Sequence, residues 1–165
     1  MRWGRVGELS AEPAKARQYA LKLLSYRSYS VEELRQRLQR KGFSSDAIDQ
    51  IIPVMVDYGY LNDEAYARSL IELLIERRGY GSRRLLQELL SRGIDRGLAV
   101  ELLGEISDSQ EMERALSLAR KKIRSFSRAN RSKTYRRMAS FLMRKGFPTE
   151  ISRRVLEEIL PPAEW

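Results

Sequence analysis

The stretch Arg40-Lys41-Gly42-Phe43 returns twice in this chain, as Ser91-Arg92-Gly93-Ile94 and as Arg144-Lys145-Gly146-Phe147. In each copy a cation precedes the glycine, and the glycines stand 51 and 53 residues apart. Cations are favoured at the C-terminus of a helix, and a glycine in the left-handed conformation commonly ends one. The stretch therefore predicts the same helix end three times, at a period that indicates tandem repeats.

Apolar residues recur at fixed distances from the three glycines. Four and eight residues before them stand Leu38 and Leu34, Leu89 and Leu85, and Leu142 and Met138. The fifth, ninth, tenth and thirteenth residues after each glycine are also apolar: Ala47, Ile51, Ile52, Met55; Leu98, Leu102, Leu103, Ile106; Ile151, Val155, Leu156, Ile159. A spacing of three or four residues marks one face of a helix. The pattern therefore predicts one helix before and one helix after each glycine.

A further helix precedes each of these pairs, and start signals support the assignment. Capping boxes stand at Ser30-Val31-Glu32-Glu33 and at Asp108-Ser109-Gln110-Glu111, and Asn62-Asp63-Glu64 opens the fourth helix. No segment shows the alternation typical of strands. We predict an all-α fold of three tandem three-helix repeats that form an elongated, curved molecule. The predicted boundaries are a flexible tail at 1–13 and repeats at 14–58, 62–107 and 108–160.

The composition excludes several classes of enzyme. The 165 residues include no cysteine and no histidine, which excludes thiolate or imidazole metal sites, Cys nucleophiles and imidazole-based triads. No apolar run reaches the length of a membrane span, and the first residues lack the apolar core of a secretory signal. We therefore expect a cytoplasmic protein without a cofactor, a metal or a membrane partner.

The charge is basic and unevenly distributed. The formal net charge is +9, and the segment 114–149 holds 12 Lys or Arg and no Asp or Glu. Such a stretch favours a polyanionic partner, of which nucleic acid is the commonest. A nuclease would need carboxylates for a divalent metal, and this segment has none.

Two motifs keep alternative interpretations open. The glycine-rich loop Gly79-Tyr80-Gly81-Ser82-Arg83-Arg84 could hold a phosphate on free N–H groups, or be a tight linker with Ser82 near a helix start. The helix–glycine–helix layout is also compatible with an independent DNA-binding, helix-turn-helix-like transcription regulator. The helices after the glycines are acidic, however, which phosphate repulsion disfavours for recognition helices.

Three motifs follow one another in this order: Gly59-Tyr60-Leu61-Asn62-Asp63-Glu64-Ala65-Tyr66-Ala67, then Arg78-Gly79-Tyr80-Gly81-Ser82-Arg83-Arg84, then Glu88-Leu89-Leu90-Ser91-Arg92-Gly93-Ile94. Together they resemble the RecX family, the bacterial regulatory proteins of the RecA recombinase. The opening repeat, from Tyr19 to Phe43, is similar as well. The resemblance is strong over residues 15–106 and looser in the third repeat.

The resemblance implies a non-enzymatic modulator of RecA, mainly an inhibitor. Members of the family bind in the groove of the RecA filament on single-stranded DNA. There they reduce ATP hydrolysis, strand exchange and the coprotease activity that triggers the SOS response. We therefore expect a monomer whose partners are the RecA filament and single-stranded, or also double-stranded, DNA.

Two sets of candidate residues follow from the charge pattern and the resemblance together. We expect Tyr80, Arg83 and Arg84 to contact the recombinase. We expect the cations of the basic segment to contact phosphates: Arg120, Lys121, Lys122, Arg124, Arg128, Arg131, Lys133, Arg136 and Arg137.

Overall fold

The structure is a computed structural model that describes residues 11–126 and 130–160. Within these ranges it has nine helices and no strand: α1 (Ala11–Tyr26), α2 (Val31–Lys41), α3 (Ser45–Asp57), α4 (Asp63–Arg78), α5 (Ser82–Ser91), α6 (Arg96–Gly104), α7 (Asp108–Ile123), α8 (Arg131–Lys145) and α9 (Thr149–Ile159). The prediction of an all-α fold built from three tandem three-helix repeats is confirmed. Helix α1 begins at Ala11, so Pro13 is buried in its first turn rather than standing before it.

The predicted helix ends are confirmed at all three glycines. Gly42, Gly93 and Gly146 have φ angles of 102°, 76° and 86°. Residues other than glycine rarely adopt this region. The apolar residues four and eight positions before them are fully buried. Sequence spacing and helix geometry therefore agree in every repeat.

One predicted cap is wrong by one residue. The first box is confirmed, since the Ser30 hydroxyl accepts from the Glu33 N–H at 3.0 Å. Helix α7, however, is capped by Ser107 and not by Asp108. The Ser107 hydroxyl accepts from the Gln110 N–H at 3.2 Å, and the Gln110 side chain accepts from the Ser107 N–H at 3.0 Å. This box closes one residue earlier and leaves Asp108 inside the first turn, where its charge suits the helix N-terminus.

The chain divides into two compact units. The first contains the described residues up to Tyr66 together with Arg92–Ile94, and its core lies among α1, α2 and α3. The second contains Ala67–Ser91 and the described residues from Asp95 onward. A core among α7, α8 and α9 is fully buried at Met138, Leu142 and Phe147.

In the first unit, the start of α2 docks on the glycine stretch of the next repeat. The Ser30 hydroxyl donates to the Arg92 carbonyl at 2.5 Å, and the Val31 N–H donates to the Asp63 carboxylate at 2.9 Å. A Cβ at Gly93 would lie 2.6 Å from Cγ of Glu32. Only a glycine therefore permits this approach.

Both carboxylate oxygens of Glu33 stabilise this contact between the start of α2 and the glycine stretch of the next repeat. One oxygen accepts from the Arg92 guanidinium at 3.1 Å, and the other accepts from the Tyr66 hydroxyl at 3.0 Å and from Arg27 at 3.3 Å. Burial would raise the pKa of Glu33, but hydrogen bonds from the Ser30 N–H, Arg27 and Tyr66 hold it below its ordinary value. The carboxylate is therefore stabilised in its charged form.

In the second unit, the start of α5 makes the corresponding contact. The Gly81 N–H donates to the Lys145 carbonyl at 2.8 Å, and the Ser82 N–H donates to the buried Glu111 carboxylate at 2.7 Å. A Cβ at Gly146 would collide with Arg84. Gly81 stands twelve residues before Gly93, as Ser30 stands twelve before Gly42. The docking of a helix start on a helix-ending glycine is therefore itself a repeated feature.

Candidate nucleic-acid and partner interface

The exposed face of α8 carries four cations of the basic segment. Lys133 and Arg137 stand four residues apart, and Arg144 stands seven residues after Arg137, with Ser140 between them. Residues at this spacing lie on one side of a helix. Arg136 adjoins this line, and all four cations are exposed. Among residues 11–126 and 130–160, none forms an ion pair with these four cations. Their full charge is therefore available to a polyanion.

Helix α7 adds cations at its C-terminal end. Lys121 lies in the last turn and Arg124 caps the helix, and both side chains are exposed. Basic residues suit this position, because the carbonyl end of a helix carries partial negative charge. Their placement is consistent with a surface that continues from α7 to α8.

Three residues of the predicted phosphate-contacting set stand apart from the rest. Arg120 is paired with Glu158 at 2.7 Å, so part of its charge is offset. Arg131 donates to the Leu160 carbonyl at 2.7 Å, which fixes its side chain but leaves its charge intact. Arg128 lies outside the described residues.

A series of cations and aromatic rings connects the two predicted sites. The Lys122 ammonium lies 5.7 Å from the ring centre of Phe141, and the Lys145 ammonium lies 5.9 Å from the same ring. Lys145 is also 5.9 Å from the ring of Tyr80, over which Arg84 lies at 5.3 Å. Each such contact is worth about 0.5–1 kcal/mol at an exposed site. We call these residues the cation–aromatic row: Lys122, Phe126, Phe141, Lys145, Tyr80 and Arg84.

The row brings in Lys145, a residue absent from both predicted sets. Its position before Gly146 marked it as a helix-end cation, and the sequence carried no sign that its ammonium would reach Tyr80. Lys145 also donates to the Arg78 carbonyl at 2.6 Å. The predicted nucleic-acid and partner residues thus meet through a side chain that motif reading assigned to helix termination. Arg144 is also absent from both sets, although it and Lys145 belong to the basic segment 114–149 that predicts a polyanionic partner.

The glycine-rich loop is a linker and not a phosphate cradle. Its three consecutive N–H groups at Gly81, Ser82 and Arg83 donate to Lys145, Glu111 and Gly146. These are the groups that a phosphate would have needed. The loop therefore serves to seat α5 on the end of α8.

The three predicted partner residues differ in how strongly they are held. Arg84 pairs with Glu88 at 3.0 Å, and Tyr80 is half-buried beneath Arg84 and Lys145. The Arg83 side chain is exposed. Of the three, Arg83 is the most available for a new contact, while Tyr80 and Arg84 form a preorganised edge of the cation–aromatic row.

The helix after the third glycine offers little positive charge. Arg153 on α9 lies 2.6 Å from Glu150 and 2.5 Å from Glu157. These hydrogen bonds raise the pKa of Arg153 above its ordinary value, and its charge is offset by both carboxylates. Phosphate binding by this helix, as a helix-turn-helix reading requires, is therefore disfavoured.

The described residues contain no cluster of three or more acidic side chains suited to holding a metal ion. None of the helices in the described ranges combines the length and apolar character needed to span a bilayer.

The fold and this surface define a class of all-α proteins built from three three-helix domains, the last of them strongly basic. The chain belongs to the RecX family. Family models described as the first, second and third three-helix domains of RecX match residues 16–52, 62–103 and 108–156.

Relatives and a solved structure agree with this assignment. The chain is 32% identical over 151 residues to "Regulatory protein RecX" of Trichlorobacter lovleyi, covering 90% of this chain and 98% of that one. It is 35% identical over 158 residues to the protein of the same name from Corynebacterium efficiens, covering 93% and 75%. The crystal structure of RecX from Lactobacillus salivarius superposes with a TM-score of 0.84 at 25% identity, over 92% of this chain and 98% of that chain.

Proposed function

We propose that this chain is a non-enzymatic modulator, mainly an inhibitor, of the RecA recombinase. It binds in the groove of the RecA filament on single-stranded DNA and reduces ATP hydrolysis, strand exchange and coprotease activity. It thereby regulates DNA repair and the SOS response in the cytoplasm. Membership of the RecX family supports this proposal, as do relatives named regulatory proteins.

The observation that carries the DNA-binding part is the exposed cationic face of α8. Lys133, Arg136 and Arg137 have no ion-pair partner in the described part of the chain, and the segment 114–149 contains no acidic residue. Binding of these cations to phosphates releases condensed counterions, which favours association and makes it depend on salt.

The proposed contacts are distributed over the proposed repeats, which span 14–58, 62–107 and 108–160. The third repeat contacts the phosphates of the filament DNA. Tyr80, Arg83 and Arg84 of the second repeat contact the recombinase. A monomer that bridges these two components can shift the filament only by its greater affinity for an inactive state.

The test is single-stranded-DNA-dependent ATP hydrolysis by the cognate recombinase, titrated with this protein. Binding of the protein alone to the same DNA is measured in parallel at matched salt. Suppression of hydrolysis at substoichiometric amounts, before the DNA is saturated, supports a filament regulator. Full hydrolysis with saturated DNA leaves only a nucleic-acid-binding protein and overturns the proposal.

A further inference from the structure

One guanidinium group on α7 lacks the partner that a buried charge requires. Arg114 is half-buried, and its Nε and Nη2 atoms are closed off from solvent without a hydrogen bond to any described residue. Among residues 11–126 and 130–160, no other charged side chain has a buried, unpaired nitrogen or oxygen. Buried donors are almost always paired, because an unpaired one destabilises the fold. Arg114 therefore indicates an anionic partner that the described part of the chain does not supply.

Glu111, three residues earlier on the same helix, does not fill this role. Its carboxylate accepts a hydrogen bond from the Ser82 N–H at 2.7 Å. Its negative charge raises the pKa of Arg114, but burial has the larger and opposite effect, so this pKa lies below its ordinary value. The cost of burying the Arg114 charge is therefore not offset by Glu111.

Arg114 lines two cavities of the second unit, and the first of them is acidic. This cavity has a volume of about 480 Å³, and its charged lining consists of Arg68, Glu72, Glu105, Glu113 and Arg114. Arg68 is held by Glu105 at 2.6 Å. The three glutamates outnumber the two arginines and would repel an anion. The first cavity is therefore a poor route to Arg114 for a negatively charged ligand.

The second cavity lies beside the end of α4 and α7 and is basic. It has a volume of about 510 Å³ and an apolar lining from Ile75 and Leu118. Arg77 and Arg78 are exposed, and neither forms an ion pair with a described residue. Its charged lining consists of four cations and two glutamates: Arg77, Arg78, Arg114, Lys145, Glu76 and Glu113. The balance of charge favours an anion that reaches Arg114 from this side.

Lys145 connects the second cavity with the proposed DNA surface. Its ammonium belongs to the cation–aromatic row, and it also donates to the Arg78 carbonyl at 2.6 Å. Cations thus continue from the exposed face of α8 through Lys145 to the end of α4. A single carboxylate would use one position of this series, whereas a nucleic-acid backbone carries one phosphate for each nucleotide. The arrangement therefore favours phosphates of nucleic acid over a lone carboxylate.

We propose that Arg114, Arg78 and Lys145 bind a backbone phosphate of single-stranded nucleic acid in this second cavity. The outer bonds of the Arg114 side chain can turn, so that Nε and Nη2 donate to two oxygens of the same phosphate. Arginine commonly binds phosphate through such a pair of parallel hydrogen bonds. The contact extends the path of the strand from α8 to the end of α4. This inference rests on the proposed function, which places single-stranded DNA on the third repeat.

The sharpest test is Arg114→Met, with Arg96→Met as its matched control. Arg96 is exposed on α6 and lies outside the basic segment and both cavities. Each variant loses one positive charge, but only Arg114→Met removes a guanidinium from the second cavity. The probe is fluorescently labelled oligothymidylate, and its anisotropy measures binding by the protein alone at several salt concentrations.

We expect Arg114→Met to bind oligothymidylate about tenfold more weakly, through the loss of one charge-assisted contact. The slope of log affinity against log salt should fall by about 0.7, the contribution of one single-strand phosphate. Arg96→Met should remain close to the wild type in both measurements. Equal affinities and slopes for the two variants overturn the proposal.

Urea denaturation distinguishes ligand binding from a structural role of Arg114. Removal of an unpaired buried charge should leave the urea midpoint unchanged or raise it. Removal of a guanidinium that stabilises the fold would lower the midpoint. A lower midpoint for Arg114→Met than for Arg96→Met therefore shows that the partner of Arg114 lies within the fold, and it overturns the proposal.

Ser117→Asp tests the second cavity without altering Arg114. Ser117 is exposed on α7 and lines this cavity, so an aspartate there competes with a phosphate for the cations. We expect it to weaken oligothymidylate binding about tenfold, the effect of losing one charge-assisted contact. Ser69→Asp, an exposed substitution on α4 away from both cavities, is the control and should bind close to the wild type. Equal binding by the two variants overturns the proposal.

ATP hydrolysis by the RecA filament separates this proposal from the proposed function. If Arg114→Met binds oligothymidylate like the wild type but no longer suppresses hydrolysis, the cavity takes an anionic group of the recombinase. That result overturns the phosphate site and leaves the proposed function intact. Failure of the wild type itself to affect hydrolysis overturns the proposed function, while the oligothymidylate measurements still decide the phosphate site.

Discussion

The N–H of Gly81 donates a 2.8 Å hydrogen bond to the carbonyl of Lys145. In the preceding repeat the corresponding contact is made by a side chain, since the hydroxyl of Ser30 donates to the carbonyl of Arg92. The glycine brings the backbone itself against the end of α8. Gly81 and Ser30 therefore donate to carbonyls at equivalent positions, Gly81 through its backbone N–H and Ser30 through its side chain. Substitution of the two residues should have different effects for this reason.

Gly81→Ala is expected to destabilise the protein strongly. The added Cβ would lie 2.6 Å from the carbonyl oxygen of Gly146 and 2.6 Å from the N and Cα of Phe147. All three are backbone atoms that cannot rotate away, so the start of α5 must move away from the end of α8. Overpacking of this kind costs about 1–3 kcal/mol. Urea denaturation followed by far-UV circular dichroism measures the loss.

Gly104→Ala is the control for that substitution. Gly104 ends α6 without a positive φ, and nothing lies within 4 Å of its Cβ position. The alanine reduces the freedom of the unfolded chain and should stabilise the protein by about 0.5 kcal/mol. Equal effects of Gly81→Ala and Gly104→Ala would contradict the close approach of the Gly81 backbone to Gly146.

Ser30→Ala is expected to cost more than the loss of an ordinary helix cap. Ser30 is fully buried, and its hydroxyl both caps α2 and donates to the Arg92 carbonyl. Loss of the cap costs about 1 kcal/mol, and the unpaired carbonyl adds about 1 kcal/mol. Ser107→Ala removes an exposed cap of the same kind without the distant carbonyl. Equal changes in the free energy of unfolding for the two variants would refute the docking role of Ser30.

Much of the fold was predictable because its signals are local. A glycine with a preceding cation, and apolar residues at four and eight positions before it, defined helix ends and buried faces that the structure reproduces. The cap of α7 was misplaced because Ser107 and Asp108 are both good capping residues. The competing boxes differ by one position, and only the backbone geometry at Ser107 decides between them.

The site was less predictable, because its geometry joins residues distant in sequence. The charge of Arg120 is offset by Glu158, which lies on another helix. Lys145 reaches the ring of Tyr80 only because the glycine-rich loop docks on the end of α8. No spacing rule connects such pairs. The net charge predicted a basic surface. Whether each cation is paired with a carboxylate could be determined only from the tertiary structure.

The stability of the first unit should depend on pH through Glu33. Its pKa is held below the ordinary value of 4.5 by hydrogen bonds that outweigh the effect of burial. A carboxyl group whose pKa is depressed in the folded state stabilises the fold at pH values above its ordinary pKa. This contribution is lost as the pH falls through the folded-state pKa. Glu33→Gln should therefore be less stable than the wild type at neutral pH, and the difference should shrink below pH 4.5.

Chemical denaturation of both proteins at several pH values tests this expectation. Glu105 and Glu150 also have lowered pKa values through Arg68 and Arg153. They are present in the wild type and the variant alike, so the difference between the two isolates Glu33. Glu72→Gln, an exposed substitution on α4, is the control for removing a charge. A gap between wild type and Glu33→Gln that stays constant with pH would contradict the assignment.

Filament binding should lose salt dependence when the exposed cations of α7 and α8 are neutralised. The variant carries four substitutions: Lys121→Gln, Lys133→Gln, Arg136→Gln and Arg137→Gln. Each contact with a single-strand phosphate contributes about 0.7 to the slope of log affinity against log salt, so the four changes should flatten the slope by about 3. The control removes the same charge from exposed positions elsewhere: Lys15→Gln, Lys22→Gln, Arg37→Gln and Arg96→Gln. It should retain most of the slope, because its side chains lie outside the basic segment. Similar slopes for the two variants would show that net charge, and not the face of α8, determines the attraction to DNA.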